Sequence, residues 1–181
     1  MKNRAFTLIE IMVAVAIFAI LLTTFTGFFL SAVQAQRKAL ASQELIDNVS
    51  YNLEYMSRAI RMARKDLAGD CISMKNNYEI TQQGRGIEFK NYQGECQEFF
   101  WNNSDNRLYE SKNEEVLPLT PAGLEVLSFQ LGPSDSWGQG QETQSRVTLY
   151  LEIKGKGEKP ELQPEIKIQT TISQRNLNVS Y

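Results

Sequence analysis

The sequence predicts an α+β fold, a long N-terminal helix whose outer part packs against an antiparallel β-sheet head, and three observations predict it. A nearly uncharged apolar run extends from Ala5 to Leu30, and an amphipathic helical pattern follows to about Ala68. Beyond Gly69 the apolar period shortens from 3.6 residues to two.

The apolar run contains a single charged residue, Glu10. At 1.5 Å per residue it reaches roughly 39 Å, enough to cross a hydrocarbon layer of about 30 Å with some tilt. Lys2 and Arg4 precede it, which favours a cytoplasmic amino terminus and an outer location for everything after about residue 30; Arg37 and Lys38 weaken that asymmetry. A carboxylate inside such a helix costs roughly 2.5 to 3.5 kcal/mol near the centre, so Glu10 requires a partner. No cation follows it before Arg37. The nearest cation that can be created is a new amino terminus at Phe6, four residues earlier, if the chain is cut after Ala5. That ammonium would pair with Glu10 of its own chain or of a stacked neighbour. The alternative is a plain signal anchor in which Glu10 snorkels to water. An ordinary secretory signal would place its apolar region before the cut and lose it, whereas here the anchor is kept.

Neither proline nor glycine interrupts residues 28–68, so nothing local stops the helix after the membrane. Ile46, Val49, Leu53, Met56, Ile60, Ala63 and Leu67 alternate at steps of three and four on one face, with Asp47, Asn48, Glu54, Arg58, Arg61 and Lys65 around them. Cations near the end suit the negative pole of the helix dipole, and Gly69 is placed as the residue that terminates it. One helix from about Ala5 to Ala68 is therefore expected, weakest at Thr23, Thr24, Thr26 and Gly27.

In the remainder, Ile87 and Phe89, Phe99 to Trp101, and Leu127, Phe129 and Leu131 mark short strands. Val147, Leu149, Leu151 and Ile153, and then Ile166, Ile168, Thr170 and Ile172, alternate more clearly, joined by the Gly-, Lys-, Glu- and Pro-rich tract from Lys154 to Pro164. Such one-sided strands need a lid, and the apolar helix face supplies it. The segment Gly132–Gln141 reads as a surface loop with an exposed Trp137 and a lone Asp135, a contact for a partner at most; one carboxylate is too few for calcium.

Composition narrows the chemistry. The chain has no histidine, and Ser73, Ser104 and Ser128 lie in no nucleophile motif, so no catalytic residue and no enzyme activity are expected. No cofactor and no metal site are expected either, because two cysteines without histidine make zinc improbable. Cys71 and Cys96 lie 25 residues apart in a compartment where thiols oxidise; a bridge there would contribute roughly 3 to 4 kcal/mol on the chain-entropy model, and two unpaired buried thiols are the alternative. Formal charge is −2, and removing Lys2 and Arg4 leaves −4 before the new amine is counted, so nucleic acid finds no bulk attraction. Arg58, Arg61, Arg64 and Lys65 read as a solvated helix end rather than a DNA-binding patch.

The string Ala5-Phe6-Thr7-Leu8-Ile9-Glu10 after a short basic leader resembles the processing site of the type IV pilin superfamily, which includes type II secretion pseudopilins and competence pseudopilins. Ala5 departs from the usual glycine. The resemblance implies cleavage between Ala5 and Phe6 by a prepilin peptidase, N-methylation of Phe6, and a carboxylate at Glu10 that guides subunits into a filament. It implies a pilin-like fold with a leader over 1–5, a transmembrane and assembly helix over 6–30, an amphipathic spine over 31–68 and a β-sheet head over 69–181. Expected partners are other pilin or pseudopilin subunits, the peptidase, an inner-membrane assembly platform and the membrane itself. Gly86 to Phe89, Phe99 to Trp101, Arg107 to Tyr109, Leu119-Thr120, Leu124 to Phe129 and the ending Thr170 to Asn176 resemble minor pseudopilins of the J type and minor pilins of the W type. A minor structural subunit at or near a filament tip is the expected role; the alternative is a DNA-uptake or adhesive tip module. The expected location is the inner membrane, single-pass with the head outside, and then the filament.

Overall fold

The computed structural model describes residues 6–135, 137 and 144–175. It contains one α-helix, α1 (Leu8–Arg61), and eight strands, β1 (Glu79–Thr81), β2 (Gly86–Lys90), β3 (Cys96–Asn102), β4 (Arg107–Lys112), β5 (Glu115–Pro118), β6 (Leu124–Gly132), β7 (Arg146–Gly155) and β8 (Glu165–Ser173). The chain is thus α+β in a pilin-like arrangement, one long apolar N-terminal helix with antiparallel sheets. It divides into two compact units, Met1–Leu40 and Ala41–Tyr181.

Among the described residues, the first unit is the helix from Leu8 onward, preceded by Phe6 and Thr7. Its side chains from Phe6 to Leu30 are exposed, and an 18-residue stretch is apolar enough, by length and composition, to cross a membrane. Thr23, Thr24 and Thr26 donate their hydroxyls to the carbonyls of Ile20, Leu21 and Leu22, and Ser31 donates to Gly27. The predicted weak stretch is therefore helical, with its polar side chains turned back on its own backbone, the usual solution where water is absent.

In the second unit the chain builds two sheets where one was expected: a five-stranded sheet in the order β1-β2-β3-β4-β5 and a three-stranded sheet β6-β7-β8, every pairing antiparallel. Leu45, Val49, Met56 and Ile60 of α1 enter one core with Ile87, Phe89, Phe99 and Leu108 of the larger sheet and Val126, Phe129, Val147, Leu149, Leu151, Ile153 and Ile172 of the smaller one. Each such side chain contributes roughly 1.5 to 3 kcal/mol of transfer free energy. Aromatic rings join the layers edge to face, Tyr55 on Phe99 at 6.0 Å and Tyr78 on Phe89 at 6.2 Å between centroids.

Four further expectations need correction. The buried helix face runs through Leu45 and Asn52, while Ile46 is exposed and Leu67 lies beyond the helix. Leu127 points outward because β6 carries a bulge between Val126 and Ser128, which resets the alternation and brings Phe129 back inside. Trp137 is not a surface residue: it is 2% exposed, its ring lies 5.6 Å from that of Tyr78, and its indole N–H donates to the Arg146 carbonyl at 2.6 Å.

The fourth correction is the helix end, at Arg61 rather than Ala68. Gly69 does adopt a left-handed φ of 78°, but in the loop that follows. Met62 N–H still donates to Arg58 O at 3.1 Å and Ala63 N–H to Ile60 O at 3.3 Å, but from Arg64 onward the backbone donors leave the helical pattern. Arg64 N–H donates to Lys90 O at 2.8 Å, and the Asp66 carboxylate accepts from the N–H groups of Ala68, Gly69, Cys71 and Ile72. The orphan carbonyls are taken from outside: Tyr78 O–H donates to Ile60 O at 2.7 Å, Arg175 N–H to Arg61 O at 2.8 Å, and the Gln174 amide to Ala63 O at 2.9 Å. Tertiary contacts thus cap this helix.

Candidate processing and assembly site

The site begins where α1 begins. Thr7 precedes the first helical residue, Leu8, and Glu10 stands third in the helix. The Thr7 N–H and the Thr7 hydroxyl both donate to Glu10 Oε2 at 2.9 Å, and Glu10 N–H points back to the Thr7 hydroxyl at 3.4 Å. This is the reciprocal capping box that a Thr-x-x-Glu spacing permits, and it satisfies donors that a helix start leaves open. The signal, Thr7-Leu8-Ile9-Glu10 ahead of an apolar run, is present in the sequence, although neither an ammonium partner nor snorkelling to water accounts for it.

The box changes what the carboxylate can do. It holds Glu10 at the helix start, facing the segment that carries Phe6, whose side chain is 81% exposed. Ile9, Val13, Ala14 and Ile17 line an open hollow on the helix surface together with Glu10. An ammonium created at Phe6 would sit at the positive pole of the helix dipole, where a cation is unfavourable unless an anion lies beside it. Glu10 is the only anion within reach along the chain before Glu44. Ala5, and with it the bond expected to be cut, lies outside the described residues.

The remaining candidate residues lie in the second unit. The Cys71 and Cys96 sulfurs are bonded, with Cα atoms 5.3 Å apart, tying the loop after α1 to the start of β3. Beside them, burial pushes the Asp66 carboxyl up, but the N–H groups of Cys71, Ile72 and Gly69 and the Lys90 ammonium outweigh it and hold the group at about 2. Lys90 bridges Asp66 at 3.3 Å and Asp70 at 3.0 Å. Of the helix-end cations, Arg58 pairs with Glu54 one turn back. Asp135 is exposed. Among the described residues no group of three His, Cys, Asp or Glu side chains is placed to hold a metal ion.

Residues 1–26 match the family model of the prokaryotic N-terminal methylation motif. That match spans the basic leader, the capping box and most of the exposed apolar stretch, so the residues that carry the geometry are the ones that carry the motif. It supports the type IV pilin and pseudopilin family, a subunit processed by a prepilin peptidase, and assembly with other pilin-type subunits. Neither the curated proteins nor the solved structures contain a match to the chain.

Proposed function

We propose that the chain is a non-enzymatic structural subunit of a type IV pilus-like or type II secretion pseudopilus filament, and a minor subunit acting at or near the tip. In this reading residues 1–5 are a leader cut away between Ala5 and Phe6, and the Phe6 amine is methylated. Residues 6–30 first anchor the chain in the inner membrane with the head outside, then pack against equivalent helices, with Glu10 neutralised by a terminal amine. The inner-membrane assembly platform moves the subunit from one setting to the other.

The observation that carries this reading is the coincidence of the matched motif at residues 1–26 with a carboxylate fixed at the start of an apolar stretch exposed from Phe6 to Leu30. Exposed apolar surface of this extent marks lipid or protein contact. A charge set within it marks a site that must be paired. The minor role rests on the head segments that resemble minor pseudopilins and minor pilins.

The test is Glu10→Ala, followed in membranes that contain the peptidase and the filament machinery. The variant is expected to insert and to lose its leader, but to be absent from sheared filaments. Normal co-assembly of Glu10→Ala with the other subunits would sink the mechanism.

A further inference from the structure

The Ala41–Tyr181 unit carries 15 Lys and Arg against 20 Asp and Glu, a net charge of −5, yet four cations gather where α1 ends. Arg61, Arg64 and Arg175 are exposed and Lys65 is half-buried. Backbone bonds fix the group, Arg175 N–H to Arg61 O and Arg64 N–H to Lys90 O, both at 2.8 Å. Arg58, Lys90, Lys112 and Lys167 each have a carboxylate partner, whereas among the described residues these four have none. Beside them lies an open cleft of about 400 Å³ whose walls include Tyr55, Ala59, Met62, Tyr92 and Lys112. Met62 and Tyr92 continue into a second hollow walled by Arg64 and Arg175, and they are 42% and 53% exposed. Arg58, Asn91 and Gln97 complete the cleft, so its apolar surface is Met62, Ala59 and the rings of Tyr55 and Tyr92, and Arg64 and Arg175 flank Met62 and Tyr92; that fits a segment in which apolar side chains adjoin carboxylates.

The chain presents such a segment at its β4–β5 hairpin. Asn113 and Glu114 both have positive φ, 51° and 68°, as a two-residue turn of the type I′ form requires. Gly is the usual choice at the second position, where a side chain is strained. The turn sets Glu114 at the tip beside Glu115, both exposed and without a cation partner among the described residues. Val116 and Leu117 follow, each 51% exposed, on β5, the edge of the five-stranded sheet. An apolar edge strand with nothing over it is a template for association.

We propose that the β4–β5 hairpin of one copy docks in the Met62–Tyr92 cleft of a second copy, Glu114 and Glu115 facing Arg64 and Arg175 while Val116 or Leu117 covers the apolar floor. Lys112 both opens the hairpin turn and lines the cleft, so the two surfaces adjoin. In the arrangement proposed the pair closes reciprocally about a two-fold axis, each copy giving a tip and receiving one. DNA is the weaker occupant: the unit is acidic as a whole, and four cations are a small footprint for a phosphate backbone.

The experiment uses the full chain in membranes with Tyr92→p-benzoylphenylalanine. Irradiation is expected to give a two-chain product whose link maps to residues 112–118. Arg64→Glu with Arg175→Glu should lower its yield by about tenfold, as should Glu114→Lys with Glu115→Lys, since rim charges govern encounter and register. Co-expressing the two reversed chains should restore it, because each reversed cleft then meets a reversed tip. The proposal is overturned if the link maps to another protein, to DNA or elsewhere on the chain, if no two-chain product forms, if neither reversal lowers the yield, or if the mixture does not recover it.

Discussion

Asp66→Ala should destabilise the head by about 2 to 4 kcal/mol, and the figure follows from what the carboxylate holds. It accepts from Cys71 N–H at 2.8 Å, Gly69 N–H at 3.1 Å, Ile72 N–H at 3.2 Å and Ala68 N–H at 3.3 Å, with Lys90 Nζ at 3.3 Å. Ala68 and Gly69 are exposed, so water replaces their acceptor at little cost, whereas Cys71 is half-buried and Ile72 is buried. Two stranded interior donors at about 1 to 2 kcal/mol each give the range. Asp66→Asn keeps one acceptor oxygen and should lose about half as much. The assay is urea unfolding of the full chain in detergent, read by Trp101 and Trp137, both in the head. Because the folded carboxyl lies near 2, below an unfolded value of about 3.9, its contribution is complete above that value and fades as pH falls toward 2. The gap between wild type and Asp66→Ala should therefore narrow across that interval. A loss under about 0.5 kcal/mol, an Asn variant as damaged as the Ala variant, or a gap that stays constant with pH would refute the reasoning.

Other outcomes are equally specific. Replacing Cys71 and Cys96 by Ser should cost about 3 to 4 kcal/mol, from the 25-residue separation they close, measured by urea unfolding with midpoint and slope both fitted, the slope rising because the unlinked chain unfolds further. Trp137→Ala should cost about 3 to 5 kcal/mol as a buried aromatic lost against Tyr78, and Trp137→Phe less, since it forfeits mainly the hydrogen bond to Arg146 O; an unchanged midpoint for the Ala variant would return Trp137 to the surface. Thr7→Val should weaken the helix start by about 1 kcal/mol and Thr7→Ser by much less, read as amide exchange at residues 8–11 in micelles.

What was legible in the sequence is what depends on local spacing. The exposed apolar helix, the strict alternation in β7 and β8, and the positions of Ile87, Phe89 and Phe99 all follow from periods of 3.6 and two. The two cysteines could be paired only as a possibility, and Glu10 only as an acid in need of a cation. What escaped depends on groups far along the chain. Helix α1 stops at Arg61 because Tyr78, Lys90, Gln174 and Arg175 claim its last backbone groups, none of them visible in a window around residue 61. Trp137 sits in a polar tract and is drawn inside by Tyr78 and the Arg146 carbonyl. Strand β5 has all four residues exposed, so burial imposes no alternation on it. The bulge that turns Leu127 outward is a single inserted residue without a marker of its own. At the site, the Thr7–Glu10 box is readable from the Thr-x-x-Glu spacing alone, since both partners lie within one helical turn.

The amino terminus of the mature chain is the decisive property of a subunit processed in this way. Intact-mass measurement and terminal sequencing of the full chain, recovered from membranes containing the peptidase, test it directly. The predicted species is residues 6–181 with one methyl group on the Phe6 nitrogen; a chain that retains Met1–Ala5 under those conditions would contradict the account.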